Sequence, residues 1–291
     1  MVMTLSELYQ RVRRSLMERE DAESAAFIAR QLLSKATGKT REQILADMQM
    51  YISEDVSVVA EQLTERVLAD EPLAYVLGEW EFYGMTLQVT PSVLIPRDDT
   101  CAVTDLAIQQ ALYLGDNPRI LDLCTGSGCI GLAIATRVKD AKVTLADISR
   151  DALQVARKNV SAQKLSNRVS CVQANALEEP APFLGKFDLI VSNPPYITSR
   201  EMRELPRSVA AFEPRLALHG GEDGLEFYKS ITEKYRSALK PGGYLCFEFG
   251  MGQGDAVCAL LEENGFTILE RSSDYNERER AVLARYDRKE A

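Results

Sequence analysis

The fold is decided by residues 119–147, which read RILDLCTGSGCIGLAIATRVKDAKVTLAD. In this stretch, the short apolar runs RILDL and KVTLA flank a glycine-containing turn and the longer apolar run CIGLAIATRV. Short apolar runs beside turn residues are typical of buried strands, and the longer run indicates a helix. Because strands that alternate with helices form parallel sheets with right-handed crossovers, this stretch predicts an α/β fold.

The same alternation continues towards the C-terminus. The apolar runs VSCVQA, FDLIVS and YLCFEF predict further strands, and GLEFYKSITEKYRSALK predicts one long helix before the turn PGG. The closing runs FTILER and AVLARY have no long helix between them, which predicts an antiparallel final pair. We therefore expect a mostly parallel sheet whose last strand is antiparallel.

The first part of the chain has a different pattern. Amphipathic helical patterns fill it as far as about residue 70, with no strand pattern among them. We predict three segments: a small helical bundle over residues 1–74, a connector over residues 75–100 with a β-hairpin at Gly84, and the α/β domain over residues 101–291.

The composition is that of an ordinary globular protein, with 46% hydrophobic and 26% charged residues. The net charge of −9 argues against proteins that bind duplex DNA or anionic membranes, which need a basic excess. No apolar run reaches the roughly 18 residues of a membrane span, and the N-terminus lacks the pattern of a secretory signal. Six scattered cysteines without a CxxC pair and a single histidine, His219, predict a reducing, cytoplasmic location and no metal site.

A first ligand motif runs from Asp122 to Gly131, directly after the strand RILDL. Its glycines let the backbone approach a ligand closely, and open α/β sheets bind ligands beyond the carboxyl ends of their strands. Asp147 ends the next strand and can accept hydrogen bonds from both hydroxyls of a ribose. The turn alone could be a helix cap, but together with Asp147 it favours a nucleoside-type ligand. GSGCIG also resembles the dinucleotide fingerprint GxGxxG, although the acid at Asp122 and a second motif argue against NAD.

The second motif is Asn193-Pro194-Pro195-Tyr196, which follows the strand FDLIVS. The two prolines fix φ and remove two N–H donors, so the Asn193 side-chain oxygen and the Pro194 carbonyl remain as acceptors. Tyr196 offers a flat face on which a planar group can stack. The arrangement fits a planar substrate NH₂ whose two hydrogens are held and whose lone pair is aimed at an electrophile. A rigid turn without a ligand is the weaker alternative, because the motif lies at the expected ligand edge.

These motifs together resemble the class I methyltransferases, Rossmann-like enzymes that use S-adenosylmethionine. The form Asn-Pro-Pro-Tyr resembles enzymes that methylate planar NH₂ groups, namely adenine or cytosine amines in DNA and glutamine side chains in proteins. Further segments resemble the PrmC (HemK) family in order along nearly the whole chain: EPLAYVLGEWEFYG, LIPRDDT, EPRLAL, GGEDGLEFY, LKPGGYL and DYNERERAV. The resemblance implies methylation of the glutamine in the Gly-Gly-Gln motif of bacterial peptide chain release factors.

The resemblance also implies roles for individual residues. It implies that Asn193 and Pro194 hold the substrate amide and that Tyr196, after Pro195, packs on it as part of the catalytic site. Phe82 and Arg97 lie in matching segments and are implied to shape the substrate pocket. The residues implied to contact S-adenosylmethionine are Cys124, Thr125, Gly126, Ser127, Gly128, Asp147, Asn175, Ala176 and Asn193.

Three positions depart from the pattern of the family. Cys101 follows LIPRDDT where the family usually has glutamate, and Cys124 opens the first loop where many relatives have glycine. Asn175 and Ala176 stand where the family usually has aspartate and often an aromatic residue near the adenine. The Asn175 side-chain oxygen can still accept a hydrogen bond from an adenine amine.

Three alternative functions stay open at this point. A glutamine methyltransferase that acts on a ribosomal protein shares Asn-Pro-Pro-Tyr and the first loop, whereas EWEFYG and GGEDGLEFY favour the release-factor type. A DNA amino-methyltransferase needs a target-recognition domain and a basic face, and a nucleotide-binding module without catalysis has no need of Asn193–Tyr196. We expect a release factor as the partner, docked by the helical bundle, a monomeric enzyme, and no direct contact with nucleic acid or membrane.

Overall fold

A computed structural model describes residues 3–287 of the chain. They form two compact units. The first unit comprises the residues up to Gly78 together with Arg207–Phe212, and the second comprises Glu79–Pro206 together with the residues from Glu213 onwards. The chain passes from one unit to the other at Gly78, inside the segment predicted as a connector.

The first unit is helical, as the sequence predicts. Capping boxes begin two of its helices, because Thr4 and Thr40 each accept a hydrogen bond from the backbone of the third helical residue. The expectation of no strand is wrong, since Met3 pairs with Ile52 in a two-residue antiparallel ladder that is too short for an alternating pattern to reveal. The elements are β1 (Met3–Thr4), α1 (Leu5–Leu16), α2 (Ala22–Thr37), α3 (Arg41–Ala46), β2 (Tyr51–Ile52), α4 (Glu54–Leu68) and α5 (Leu73–Leu77).

The remaining elements follow in chain order, and all of them except α9, which belongs to the first unit, build the second unit. They are β3 (Glu79–Phe82), β4 (Met85–Gln88), α6 (Cys101–Tyr113), β5 (Arg119–Leu123), α7 (Cys129–Arg137), β6 (Lys142–Asp147), α8 (Arg150–Ala162), β7 (Val169–Gln173), β8 (Phe187–Ser192), α9 (Arg207–Ala210), α10 (Glu226–Lys234), β9 (Leu239–Glu248), α11 (Gly254–Glu263), β10 (Phe266–Ser273) and β11 (Glu279–Tyr286).

Seven strands form one sheet in the order β10-β11-β9-β8-β5-β6-β7. Neighbours from β9 to β7 in this order pair in parallel, whereas β11 is antiparallel to both β9 and β10. The predicted α/β fold, a mostly parallel sheet with an antiparallel last strand, is confirmed. The chain winds outward from β5 to β7 and then returns to β8 on the other side of β5. The carboxyl ends of β5 and β8 therefore form a topological switch point, where open α/β sheets bind ligands.

The region before and within β9 differs from the prediction. The expected long helix is shorter, because α10 spans nine residues and a 3₁₀ turn over residues 235–238 follows it. The turn PGG lies inside β9, where Phe187 of β8 pairs with Leu239 and Leu189 already pairs with Tyr244. The residues between form a bulge, and Gly242 adopts a left-handed φ of 71° there, which glycine tolerates without strain.

Two apolar clusters cover the two faces of the sheet. On β5, Ile120 belongs to one cluster and Leu121 to the other, as the alternation of side chains along a strand requires. Within the second unit, the β3–β4 hairpin is tied to α8 through Asn159, whose Oδ1 accepts from the Gln88 backbone N–H at 2.7 Å. Asn159 Nδ2 donates to the carbonyl of Ser127 at 2.9 Å, so the hairpin and the first ligand loop share one buried anchor. No helix within residues 3–287 combines the length and apolar character that crossing a bilayer requires.

Candidate active site

One cavity of the second unit opens at the carboxyl ends of the central strands. Both predicted motifs contribute to its wall, together with residues 92–100 and 214–217. The sequence-predicted residues among its lining are Cys124, Thr125, Gly126, Ser127, Asp147, Asn175, Ala176, Asn193 and Pro195. The switch point predicted by the sheet order therefore carries a cavity that both motifs share.

The first loop is held by the buried carboxylate of Asp122. Its Oδ2 accepts from the Thr125 hydroxyl at 2.6 Å and from the Gly131 backbone N–H at 2.9 Å. A Cβ at Gly131 would lie 2.3 Å from the Leu145 side chain, so only glycine allows α7 to approach β6 this closely. Burial raises the pKa of Asp122 to about 7, against the opposing effect of these two hydrogen bonds. Its Oδ1 is buried without a partner among the described residues.

Two further features shape this loop. Cys124 has a left-handed φ of 61°, a conformation that glycine adopts more readily than other residues. This gives a physical reason for the glycine that many relatives carry at this position. Asp147, at the end of β6, accepts from the Gly126 N–H through Oδ2 and from the Ser149 N–H through Oδ1, both at 2.9 Å. Burial raises the pKa of Asp147, and these backbone donors counteract the rise.

Asn175 and Ala176 lie in the wall beyond β7. The Asn175 side chain folds back on its own turn, with Oδ1 accepting from the Leu177 N–H at 3.0 Å and Nδ2 donating to Glu178 at 2.9 Å. The Ala176 carbonyl accepts from the Ser230 hydroxyl of α10 at 2.9 Å. These bonds fix the segment as part of the wall, and Asn175 Oδ1 retains a lone pair for one more donor.

The second motif begins where β8 ends. The Ser192 hydroxyl donates to the Leu123 carbonyl at 2.6 Å and ties the ends of β5 and β8 together. Asn193 lines the cavity, and its Nδ2 donates to the Thr100 hydroxyl at 3.4 Å. Within residues 3–287 the Pro194 carbonyl accepts no hydrogen bond, and Pro194 itself is buried and is not a lining residue of the cavity. The two predicted acceptors of a substrate NH₂ are thus free of competing donors.

The loop GGEDG packs directly on the second motif. A Cβ at Gly220 would lie 2.5 Å from the Pro195 carbonyl oxygen, so glycine is required for this contact. The Tyr196 carbonyl accepts from Gln253 Nε2 at 3.1 Å. The Tyr196 ring packs against the apolar cluster beside α10, and burial raises the pKa of its phenol. Tyr196 lies outside the lining residues of the cavity, and the aromatic ring in the wall is that of Phe227.

Besides Pro194 and Tyr196, three of the predicted residues do not line the cavity. Gly128 is the N-cap of α7, and Phe82 is buried in the core cluster that contains β5 and α7. Arg97 forms an ion pair with the buried carboxylate of Glu213, which also accepts from the Ile95 N–H. This pair joins the two segments that contribute residues 92–100 and 214–217 to the cavity wall.

Sequence reasoning missed several residues of the site, and three of them have polar or aromatic side chains near the second motif. Thr100 and Phe227 line the cavity, and Glu248 lies at the end of β9 beside Asn193. The signal for Glu248 was a single acid within the apolar run YLCFEFG, because acids inside buried strands are rare unless they have a role. Thr100 and Phe227 lie inside LIPRDDT and GGEDGLEFY, two segments that carried the family resemblance, but nothing in their residue types marked either one as part of the cavity wall.

The chemistry of the lining fits a nucleoside beside a planar amide. The Asp147 carboxylate has about four acceptor positions, of which backbone donors use two, so it can accept from two further hydroxyls. Ile148, Ala176 and Leu177 provide the apolar surface that a flat base requires. Residues 3–287 contain no cluster of three or more potential metal ligands.

Two protein-family models match the chain. Residues 7–78 match the family described as PrmC N-terminal domain, and residues 104–210 match the methyltransferase small domain. The chain is 41% identical to the release factor glutamine methyltransferase of Clostridium acetobutylicum over 73% of this chain and 74% of that protein. It is 35% identical to the release factor glutamine methyltransferase of Geobacter sulfurreducens over 94% of this chain and 93% of that protein.

A solved structure supports the fold alone. The methyltransferase from Pyrococcus furiosus superposes with a TM-score of 0.51 at 16% sequence identity, covering 78% of this chain and 100% of that chain. The likeness concerns the arrangement of the sheet and its helices. The site residues therefore rest on the geometry described above.

Proposed function

The chain belongs to the family of release factor glutamine methyltransferases, and we propose that it methylates the side-chain amide nitrogen of the glutamine in the Gly-Gly-Gln motif of a peptide chain release factor. The observation that carries the proposal is the pair of free acceptors at the carboxyl end of β8. Asn193 lines the cavity with its Nδ2 engaged by Thr100, and the Pro194 carbonyl is without a competing donor among the described residues. This pair matches the two N–H groups of a primary amide.

The cofactor is S-adenosylmethionine, which supplies an electrophilic methyl group bound to a positively charged sulfur. Asp147 would hold the ribose hydroxyls, residues 124–127 would face the ribose and methionine parts, and Asn175 and Ala176 would adjoin the adenine. The fit rests on the spare acceptor positions of Asp147 and the apolar wall beside it. Gly128 acts indirectly in this proposal, as the cap that begins α7.

The residues of the second motif act by alignment. An amide nitrogen is a poor nucleophile because its lone pair is delocalised into the carbonyl. Asn193 Oδ1 and the Pro194 carbonyl accept its two hydrogens and fix the direction of the lone pair, which converts a random encounter into an oriented one. The same acceptors stabilise the positive charge that grows on the nitrogen as the bond to carbon forms. Tyr196 and Pro195 keep the turn rigid behind them, and the surplus proton leaves to water.

Recognition of the whole release factor needs more surface than one side chain offers, because stable protein interfaces bury roughly 1,600 Å² in total. We assign this role to the helical residues 1–74, with Arg97 contributing near the cavity mouth. Phe82 supports the hairpin from within the core in this proposal. We place the enzyme in the cytoplasm, since its proposed substrate is a translation factor and its six cysteines are free thiols. We also propose that it acts as a monomer.

The test uses purified protein, labelled S-adenosylmethionine and three acceptors: a release factor, ribosomes and duplex DNA. We expect label in the release factor, and none in a release factor whose Gly-Gly-Gln glutamine is replaced by alanine. Label in ribosomal protein or DNA with an unlabelled release factor would contradict the proposal. The alanine variant is the matched control, because it keeps the docking surface and removes only the accepting nitrogen.

A further inference from the structure

Glu248 is a buried acid beside the second motif that the mechanism above does not use. It is the last residue of β9, and its position in the sheet follows from the parallel pairing of Ser192 with Phe247, the residue before it. Glu248 is 2% exposed, and its Oε2 is buried without a hydrogen-bond partner among the described residues. A buried carboxylate without a full set of partners is costly, which calls for a reason for its presence.

Three polar side chains from three separate segments meet at this point. Asn193 follows β8, Thr100 precedes α6, and Glu248 ends β9. Asn193 Nδ2 donates to the Thr100 hydroxyl at 3.4 Å. Both side chains lie beside the Glu248 carboxylate and, as hydrogen-bond donors towards it, lower its pKa. Because an ionised carboxylate only accepts hydrogen bonds, it selects the orientation in which the Asn193 NH₂ faces it.

We propose that Glu248 is the positioning residue of the amide-binding site: its carboxylate holds the Asn193 NH₂, so that Asn193 Oδ1 is the atom offered to the substrate amide. A carboxamide that rotated by 180° about its terminal bond would present NH₂ to the substrate NH₂. Such an orientation would repel the substrate nitrogen, because two donors would then face each other. This inference rests on the proposed function, since it concerns how the same site holds an amide.

No charged group within residues 3–287 forms a direct ion pair with Glu248. Arg280 of β11 faces it, but the Arg280 guanidinium is bound to Asp99 at 2.8 Å and to Asp274 at 3.2 Å. Arg280 lowers the pKa of Glu248 and Asp99 raises it. Among the described residues, Glu248 also interacts electrostatically with the phenols of Tyr196 and Tyr228 and with the thiols of Cys101 and Cys129.

These opposing influences make the protonation of Glu248 sensitive to pH in the neutral range. Burial is the largest influence and raises the pKa of Glu248 to about 7, against the hydrogen bonds from Thr100 and Asn193. Below this pH the carboxyl gains a proton and can donate, so it no longer selects the orientation of Asn193. Methyl transfer should therefore fall as the pH decreases through about 7.

The first experiment compares wild type with Glu248→Gln, which keeps the shape and removes the charge. We expect kcat to fall by about 10- to 100-fold, as for a misplaced reacting group, with the dissociation constant for S-adenosylmethionine unchanged. We also expect the acidic limb of the wild-type kcat profile to disappear in the variant. A variant with wild-type kcat and the wild-type acidic limb would overturn the assignment.

The matched control is Asp188→Asn. Asp188 lies at the start of β8, at the opposite end of the strand from Asn193, and its carboxylate also faces β9. Asp188 is paired with Lys240 of β9 at 2.7 Å and accepts from the Arg119 N–H. Its neutralisation should leave both kcat and the acidic limb as in wild type. If both variants lost activity equally, a general loss of fold would explain the result and the positioning role would be rejected.

A second measurement needs neither Glu248→Gln nor a release factor. In wild-type protein labelled with ¹⁵N-asparagine, we expect the side-chain NH₂ signals of Asn193 to shift with pH and to show a midpoint near 7. The signals are assigned by their absence from Asn193→Ala. Signals that stay constant from pH 5.5 to pH 8.5 would overturn the role of Glu248, whereas failure to label the release factor would count against the proposed function alone.

Discussion

The ends of β5 and β6 and the ends of β8 and β9 hold their polar side chains in different ways. At the first pair, Asp147 accepts two backbone N–H groups at 2.9 Å, and Asp122 accepts the Gly131 N–H at the same distance. At the second pair, Asn193 Nδ2 donates to the Thr100 hydroxyl beside the Glu248 carboxylate, and no backbone group of residues 3–287 is bonded to the Asn193 side chain. The first arrangement is fixed by the fold itself, whereas the second can rearrange without moving the backbone.

This difference separates two tasks. A cofactor that every turnover uses benefits from a loop whose shape the backbone fixes in advance. A substrate amide needs acceptors that are aimed and unoccupied until it arrives, and side chains with spare capacity provide them. We call the first region the backbone-held edge (the ends of β5 and β6) and the second the side-chain-held edge (the ends of β8 and β9). If this division is correct, variants at the two edges should have separable effects.

The largest effect is expected at the side-chain-held edge. Asn193→Ala removes one of the two acceptors of the substrate amide and with it the orientation of the nitrogen. We expect kcat to fall by about 10²- to 10⁴-fold, because oriented encounter supplies much of the rate in such reactions. Transfer of label to the release factor measures kcat, and calorimetry should give a nearly unchanged affinity for S-adenosylmethionine. A variant that keeps most of its methyl transfer would contradict the role of this edge.

The next effect belongs to the backbone-held edge. Asp147→Ala removes the acceptor of the ribose hydroxyls and should weaken cofactor binding by roughly 1.5–3 kcal/mol, the range for hydrogen bonds to charged groups. This corresponds to an increase of about 10- to 150-fold in the dissociation constant measured by calorimetry. With saturating cofactor, kcat should stay close to that of wild type. An unchanged affinity for S-adenosylmethionine would contradict the assignment of Asp147 to the ribose hydroxyls. Asn193→Ala, which should keep this affinity, is the control.

The same division explains what the sequence could predict. The backbone-held edge was predictable because its determinants are local: glycines after a strand, an acid at the end of the next strand, and a helix start. The bond from the Gly126 N–H to Asp147 spans 21 residues but joins two consecutive strand ends, which the α/β pattern already places together. The sheet and its antiparallel final strand were predictable for the same reason.

The side-chain-held edge was only half predictable. The proline-fixed turn at Asn193 can be recognised in the sequence. The side chains beside Asn193 are those of Thr100 and Glu248, which lie far from it along the chain. No periodicity links them, and only the fold brings them together. Phe82 shows the converse, since membership of a matching segment placed it near the substrate, whereas the structure buries it in the core. The bulge in β9 was hidden as well, because PGG reads as a turn whether or not pairing resumes after it.

A third test uses stability instead of activity. Burial raises the pKa of Asp122 to about 7 from its ordinary value of 3.8, so the folded protein holds this proton over a range in which the unfolded chain has lost it. The stability associated with that proton is fully present below pH 3.8 and is lost as the pH rises through about 7. The slope approaches about 1.4 kcal/mol per pH unit, the value for one proton.

Asp122→Asn removes this titration and keeps an oxygen for the Gly131 N–H. We therefore expect the free energy of unfolding of wild type to fall more steeply between pH 5 and pH 7 than that of the variant. Denaturant melts at both pH values measure the difference in slope. Equal slopes would show that Asp122 is ionised throughout, and that the backbone-held edge carries a buried charge.

The smallest effect is expected outside both edges, in the helical unit that we propose docks the release factor. Leu45, Met50 and Tyr51 are exposed apolar side chains within seven residues of one another, and Tyr51 is 73% exposed. Exposed aromatic residues are frequent anchors of protein interfaces. Tyr51→Ala should raise KM for the release factor by about 3- to 10-fold with kcat unchanged, which is the signature of lost binding without lost catalysis.

Tyr113→Ala is the matched control, since Tyr113 is 91% exposed but ends α6 in the other unit. Both variants should bind S-adenosylmethionine as wild type does. If Tyr51→Ala left KM unchanged while Tyr113→Ala raised it, recognition would lie on the α/β unit, and the helical unit would lose its proposed role at this surface.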